Sequence, residues 1–589
     1  MRILSVVIML AGAVVLNSCT LPQMIKMAKK QELKAVPNPL EVHKDSVAFE
    51  VSAVLPLKMI KPSTTYTLNT FYKFGDKEIA LDPISFKSDD FPQTASIKPK
   101  LNKKITFAYQ PAMKVGVVQV EGVATKGTKS KSTPRMDLAT GLITTSKLVQ
   151  NSYFTAFADH GYNNQEEIVP VVIPNFTFEQ GRSVLRKTEM TGATGKQLDA
   201  FIASKNLTRT VTITGTHSPE GQERVNSKLS GERAAAIEKF YRAEMKKYDY
   251  QSMASEIRFI LKPVVDDWSE FKSALGSYSG ITADQKAEYM SIINNGGTFS
   301  DVERQLSKLS TYRKVFKEVY PALRAAKTEI LTIKKKKTDA EISVMARQVS
   351  QGQVVPDLSF EELMYAATLT PSLDEKAAIY TAATKMGSNW NAHNNLAAVL
   401  LTQAIENPAN AQSKISGAST QLEIAARLRS TPEVKANLAT IALMQGNPWK
   451  ASALATEALA GSSNEVSRGV NGVKASAEIY SGKYAAAVAS ASSATGSTVN
   501  LFNKGLAQLL NKDYANAASS FGEATRSNSN YGLAWYGAAV TAARQGNADG
   551  VISNLTKAVQ VEPSLKEAAL SDLEFRNQAT SDAFRNILK

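Results

Sequence analysis

Cysteine is almost missing: the 589 residues contain one, at position 19. A single thiol closes no disulfide within the chain and builds no multi-cysteine metal site. Histidine is scarce as well, with four residues. His43 and His160 stand isolated, and His217 has no ligating neighbour at the spacing a metal site needs. No glycine-rich phosphate loop and no G-x-S-x-G nucleophile elbow occurs. Adjacent carboxylates such as Glu166-Glu167 and Glu361-Glu362 read as solvated pairs. After residue 16 no apolar run reaches the roughly 20 residues a membrane-spanning helix requires. The expectation is a non-enzymatic chain with no cofactor and no metal, which does not span a membrane.

What is present begins with targeting. Arg2 precedes an apolar run, residues 3–16, that is too short to span a bilayer and has the length of a signal-peptide core. It ends in Leu16-Asn17-Ser18-Cys19, which resembles a bacterial lipobox. The resemblance implies a lipoprotein signal peptide at 1–18, acylation (palmitate) at Cys19 and a lipidated tether at 19–34. Each buried CH₂ of such a lipid contributes about 0.8 kcal/mol of membrane affinity. Thr20 follows the cysteine, and Lys26, Lys29 and Lys30 make the tether basic. Surface-exported lipoproteins of Bacteroidota resemble one another in an acidic patch here. The expected location is therefore the outer membrane, facing the periplasm.

Net charge is +15, and from residue 359 onward Lys+Arg exceed Asp+Glu by only one. The basic part therefore precedes residue 359 and suits anionic headgroups or an anionic wall polymer. An exported chain does not meet nucleic acid, so none is expected as a partner.

Residues 35–160 read as an antiparallel β-sandwich. Val47, Phe49 and Val51 alternate, as do Tyr66, Leu68, Thr70 and Tyr72, and Ile105, Phe107 and Tyr109. Residues 125–133 are a basic Ser/Thr/Gly stretch, expected as a solvated loop.

Residues 211–236 run from a short strand (Val211, Ile213) through a Gly/Ser/Pro turn into a helix. Gly215, Gly221, Asn226, Leu229, Ser230, Arg233 and Ala234 resemble the pattern of the OmpA-like peptidoglycan-binding family. Phe176, Phe178, Gly181 and Leu185 resemble its first strand and turn. The resemblance implies an α+β OmpA-like domain at 165–338, with a helical insertion around 267–327 and a last strand at 328–334. It also implies a peptidoglycan site in which an acidic residue takes an ammonium and an arginine takes a carboxylate. Arg233 stands at the arginine position, Asn226 matches, and Ser218 replaces the acid. Glu220 is the substitute charge within the same loop.

A linker helix is expected at 339–358. From 359 to 589 the composition turns to Ala, Asn, Ser and Gly with helical periodicity. Gly446-Asn447, Gly482-Lys483-Tyr484, Lys512-Asp513-Tyr514 and Gly546-Asn547 recur between apolar helices. The spacing is similar to that of tetratricopeptide repeats, which implies an α-helical solenoid with a C-terminal cap. Such a solenoid offers a concave surface to partner proteins. The combined expectation is a lipid-anchored envelope protein that contacts peptidoglycan and scaffolds an envelope protein partner. The alternative is a component of an envelope secretion, motility or surface-fibre machinery whose OmpA-like domain does not bind peptidoglycan.

Overall fold

A computed structural model describes residues 20–250, 253–264 and 268–589. Cys19 and the signal segment lie outside the described residues. The chain divides into two compact units, one of residues up to Gly161 together with Ser343–Lys589, the other Tyr162–Ile342.

The first unit opens with a helix, Thr20–Ala28. Met24 and Ala28 are buried in the same cluster as the strands that follow. The stretch expected as a tether is thus packed from its second residue. Leu21, Ile25 and Met27 add to that face, an apolar stripe at helical spacing.

Two five-stranded sheets come next. In one, Ser46–Val54 is flanked by Lys100–Ala108 and Glu32–Val36. In the other, Thr65–Phe74 lies between Lys77–Lys87 and Val117–Lys126. Alternation sends Val47, Phe49 and Val51 from the first sheet and Tyr66, Leu68 and Tyr72 from the second into one core. Gly122 makes room for this packing, because a Cβ there would sit 1.9 Å from the Tyr66 hydroxyl. The basic 125–133 stretch is a hairpin, its return strand Lys129–Ser132 paired to Val123–Lys126.

From Trp390 to Val561 the unit is a stack of antiparallel helix pairs. The turns fall at the recurring Gly/Asn positions. Gly446, Gly482 and Gly546 adopt left-handed φ of 71°, 68° and 72°, and Lys512 takes the same place at 65°. The next amide then bonds back five residues, as in Asn447 to the Ala442 carbonyl and Asn547 to Ala542, a Schellman closure. The side chains of Asn447, Asp513 and Asn547 cap the following helices. Gly505 and Gly537 receive the Phe521 ring, which a Cβ would meet at 2.9 and 2.5 Å.

The second unit holds a four-stranded sheet in the order Ile168–Thr177, Ala325–Ile333, Leu207–Gly215, Arg258–Pro263. The last two strands run parallel and the other neighbours antiparallel. The helix Glu223–Lys247 connects the parallel pair, burying Ala234, Ile237 and Tyr241 with Leu198 and Ile202 of Ala193–Ala203. Between Arg258–Pro263 and the final strand come five short helices, from Ser269 to Leu323, with a core of their own around Phe271, Tyr289, Leu306 and Tyr320. The final strand begins at Ala325, three residues before the expected start, because Ala326 pairs with Gly215. Among the described residues no helix is long and apolar enough to cross a membrane.

Candidate functional site

Each unit contains one place where polar side chains converge on backbone. In the first unit it is the face of the stack formed by Trp390–Glu406, Pro432–Met444, Asn464–Tyr480 and Thr498–Leu510. An extended segment, residues 149–160, lies along this face and pairs with no strand. It runs against the order of the helices, and side chains read its backbone at every second residue. The Gln150 N–H donates to Asn503 Oδ1 at 3.0 Å and its carbonyl accepts from Asn503 Nδ2 at 2.6 Å. The Ser152 N–H donates to Ser476 Oγ at 3.0 Å. The Phe154 carbonyl accepts from Thr440 Oγ1 at 2.6 Å. The Ala156 N–H donates to Asn437 Oδ1 at 2.8 Å, and its carbonyl accepts from Asn437 Nδ2 and Asn394 Nδ2. The Ala158 N–H and carbonyl pair with Asn395 at 2.6 and 2.9 Å.

These amide side chains are buried. Asn395, Asn437 and Asn503 each turn an N–H and the C=O of one planar amide to the same residue, the arrangement a neighbouring strand would present. The β-rich front, expected as a sandwich over 35–160, has its last strand at Leu142–Ile143, and 149–160 lies on the helical stack. Period-two alternation marks an extended chain and is blind to whether strands or side chains satisfy it. Glu574 anchors the near end, accepting from Thr145 Oγ1 at 2.6 Å and from Nε and Nη2 along one edge of the Arg544 guanidinium. Arg544 also reaches Glu41 at 2.9 Å. The neighbouring His43 and this arginine pull the Glu41 carboxyl down to about 2 against its burial.

In the second unit the structure brings Ser218 and Glu220 of the loop together with Asn226 and Arg233 of the helix that follows. Arg233 is buried, and its fork is spent on carbonyls. Nη1 donates to Thr216 at 2.8 Å, Nε to Arg182 at 3.1 Å and Nη2 to Glu179 at 3.3 Å. Burial and the positive Arg324 nearby bring its pKa down to about 10. Asn226 Nδ2 donates to the Glu220 carbonyl at 3.1 Å, which shapes the turn. Gly221 sits there at φ +100°. Gly215 permits strand and helix to touch, since a Cβ would lie 1.9 Å from the Ser230 carbonyl.

The charge opposite Glu220 is Arg324, a residue sequence reasoning did not single out. Its Nε donates to Ser218 Oγ at 2.9 Å and to Glu220 Oε1 at 3.0 Å. Arg324 stands between the helical insertion and the final strand, 104 positions from Glu220 in the chain. The insertion also covers the loop: His217 packs edge-on against Phe299 with centroids 5.5 Å apart. Nearby Glu303 is buried and accepts from the Tyr312 and Tyr320 hydroxyls. Burial pushes its carboxyl up to about 7. Among the described residues no group of three or more His, Cys, Asp or Glu can hold a metal.

No protein-family model matches the chain, and no curated protein matches it. Similar solved structures include YrrB, a TPR protein with an unusual peptide-binding site. It is 17% identical over 38% of this chain and 94% of its own, with a TM-score of 0.22. The C-terminal part of a TPR repeat-containing protein from Cytophaga hutchinsonii is 15% identical over 39% and 94%, TM-score 0.29. The APC/C hetero-tetramer Cut9-Hcn1 is 14% identical over 62% and 65%, TM-score 0.31.

Proposed function

We propose that this chain is a non-enzymatic envelope lipoprotein, anchored through acylated Cys19 at the periplasmic face of the outer membrane, whose tetratricopeptide-like array scaffolds protein partners. The observation that carries the scaffold reading is the row of buried side chains, Asn395, Asn437, Ser476 and Asn503, bonded to the backbone of an extended segment. A surface that reads peptide backbone has protein as its natural ligand. The anchoring reading rests on the lipobox resemblance and on the single cysteine. In-cell crosslinking followed by mass spectrometry tests the scaffold: specific envelope proteins are expected on the array, and their absence across crosslinkers would sink it. Replacing Cys19 by Ser is expected to abolish acylation and release the chain from the membrane fraction.

For Tyr162–Ile342 we propose an OmpA-like fold, supported by the strand order and the one parallel pair. Two roles were expected for it, wall contact or docking without wall contact. The docking role is favoured by the loop: Arg233 is committed to three carbonyls, and Ser218 and Glu220 are held by Arg324. Neither half of a charge pair for a wall peptide stands free. Co-sedimentation of the purified full chain with sonicated peptidoglycan decides between them. The chain is expected to stay in solution, and saturable sedimentation would restore wall contact.

A further inference from the structure

The groove that reads residues 149–160 specifies the chemistry of what it accepts. Recognition runs through N–H and C=O groups at positions 150, 152, 154, 156 and 158, which any extended chain without proline at those positions possesses. The intervening Asn151, Phe157 and Asp159 are exposed. The inward side chains are selected by shape. Gly469 lies under the Phe154 ring, where a Cβ would come within 2.2 Å. Gly472 faces Ser152, where a Cβ would come within 2.6 Å of its hydroxyl. Ala156 is enclosed by the apolar cluster that includes Ala436, Ala439 and Val473. The polar groups that read the backbone are all neutral, Asn, Ser and Thr, so an inward charge there would lose its hydration for little return.

We infer that this groove is a receptor for an extended segment of a partner protein whose inward side chains are uncharged and follow the pattern small–aromatic–small–small, and that residues 149–160 are a built-in occupant that keeps it closed. The inference rests on the scaffold reading above and names the class of partner. An occupant tethered in the same chain acts at an effective concentration on the order of millimolar. A partner therefore binds only in the fraction of molecules where the strap has lifted. If that fraction is about 1%, apparent affinity falls about 100-fold.

The test uses the full chain carrying Cys19→Ser, with residues 150–158 either native or replaced by a Ser/Pro sequence of equal length with proline at 150, 152, 154, 156 and 158, which has no N–H to offer the groove at those positions. The probe is a fluorescein-labelled peptide of residues 148–161, followed by polarisation. The replaced chain is expected to bind at least 100-fold more tightly than the native chain. Asn437→Ala with Asn503→Ala is expected to weaken that binding at least tenfold, and an Ala156→Lys peptide is expected not to bind. A folded replaced chain that ignores the peptide overturns the inference, as does equal binding by the native chain. If the replaced chain fails to fold, hydrogen exchange on the native chain decides. Exchange at Ala156 and Ala158 well ahead of the helices supports a strap that lifts, and exchange only with global unfolding overturns it. Replaced chains that dimerise when mixed with native chain would make a second copy the occupant, which also overturns the choice of a foreign segment. Failure of the scaffold reading is separable: envelope crosslinks would then be missing from native and replaced chains alike, whatever the peptide does.

Discussion

The groove of the first unit and the loop of the second solve the same problem with opposite chemistry. Both put buried polar side chains onto main-chain groups. The groove uses neutral amides and hydroxyls, with Asn437 and Asn395 each giving and accepting one bond. The loop uses a buried cation, Arg233, donating to three carbonyls at once. A neutral amide returned to water recovers its hydrogen bonds at modest cost. A guanidinium in a desolvated site cannot lose its partners without a penalty of several kcal/mol. The groove is therefore built to be vacated, and the loop is built to stay shut.

The sharpest way to break this contrast is Arg233→Met. It removes a donor from three carbonyls, of which Glu179 keeps the Arg182 N–H, and is expected to cost the Tyr162–Ile342 unit roughly 3–5 kcal/mol. Arg233→Lys should recover little, because an ammonium lacks the fork that reaches all three. Urea midpoints read by hydrogen exchange within that unit measure it, and an unchanged midpoint would return Arg233 to a ligand-facing role.

Next in size is the pH response of the same unit. Glu303 has a folded-state pKa of about 7 against an ordinary 4.5, from burial first. The folded state then holds a proton that the unfolded state has lost. Stability from this group is full below the ordinary value and falls as pH rises towards 7. Between pH 5 and pH 8 the loss is about 2–3 kcal/mol. Glu303→Gln, which keeps an acceptor for one of the two tyrosine hydroxyls and does not titrate, should flatten this dependence. Equal slopes in thermal melts of both proteins would contradict it.

In the groove the expected effects are smaller. Asn437→Ala leaves the Ala156 N–H without its acceptor and the Ala156 C=O with Asn394 alone, at about 1–3 kcal/mol. The change should appear as faster exchange at Ala156 with the second unit untouched. Smaller still is Gly469→Ala, which forces the half-buried Phe154 ring aside at about 1 kcal/mol. A change in the chemical shifts of residues 152–156 alone would register it.

How much of this was legible beforehand follows from the range of each interaction. The Gly446, Gly482 and Gly546 turns were readable because a left-handed φ is a demand of the residue itself. Gly221 was readable for the same local reason, and Gly215 and Asn226 through the resemblance to the OmpA-like pattern. The role of Arg233 was not, since its acceptors Glu179 and Arg182 lie far back in the chain. Arg324 gave no signal, because nothing local sets it opposite Glu220. The Asn ladder left one faint trace: Asn is a poor residue for helix interiors, yet it recurs at 394, 395, 437 and 503 inside apolar helices.

By itself the sequence determined the periodicities, the turns and the single thiol, because each is set by residues within a few positions of one another. It thereby determined a β-rich front, a mixed α+β middle and a helical-pair stack behind. Only the tertiary structure decided what fills the sites. Residues 149–160 meet Asn503 and Asn395 across more than two hundred positions of chain. Arg324 meets Ser218 across 106 positions of chain, where the final strand begins. Hydrogen bonds and charge pairs act over a few ångströms, and chain order says nothing about which distant groups will come that close.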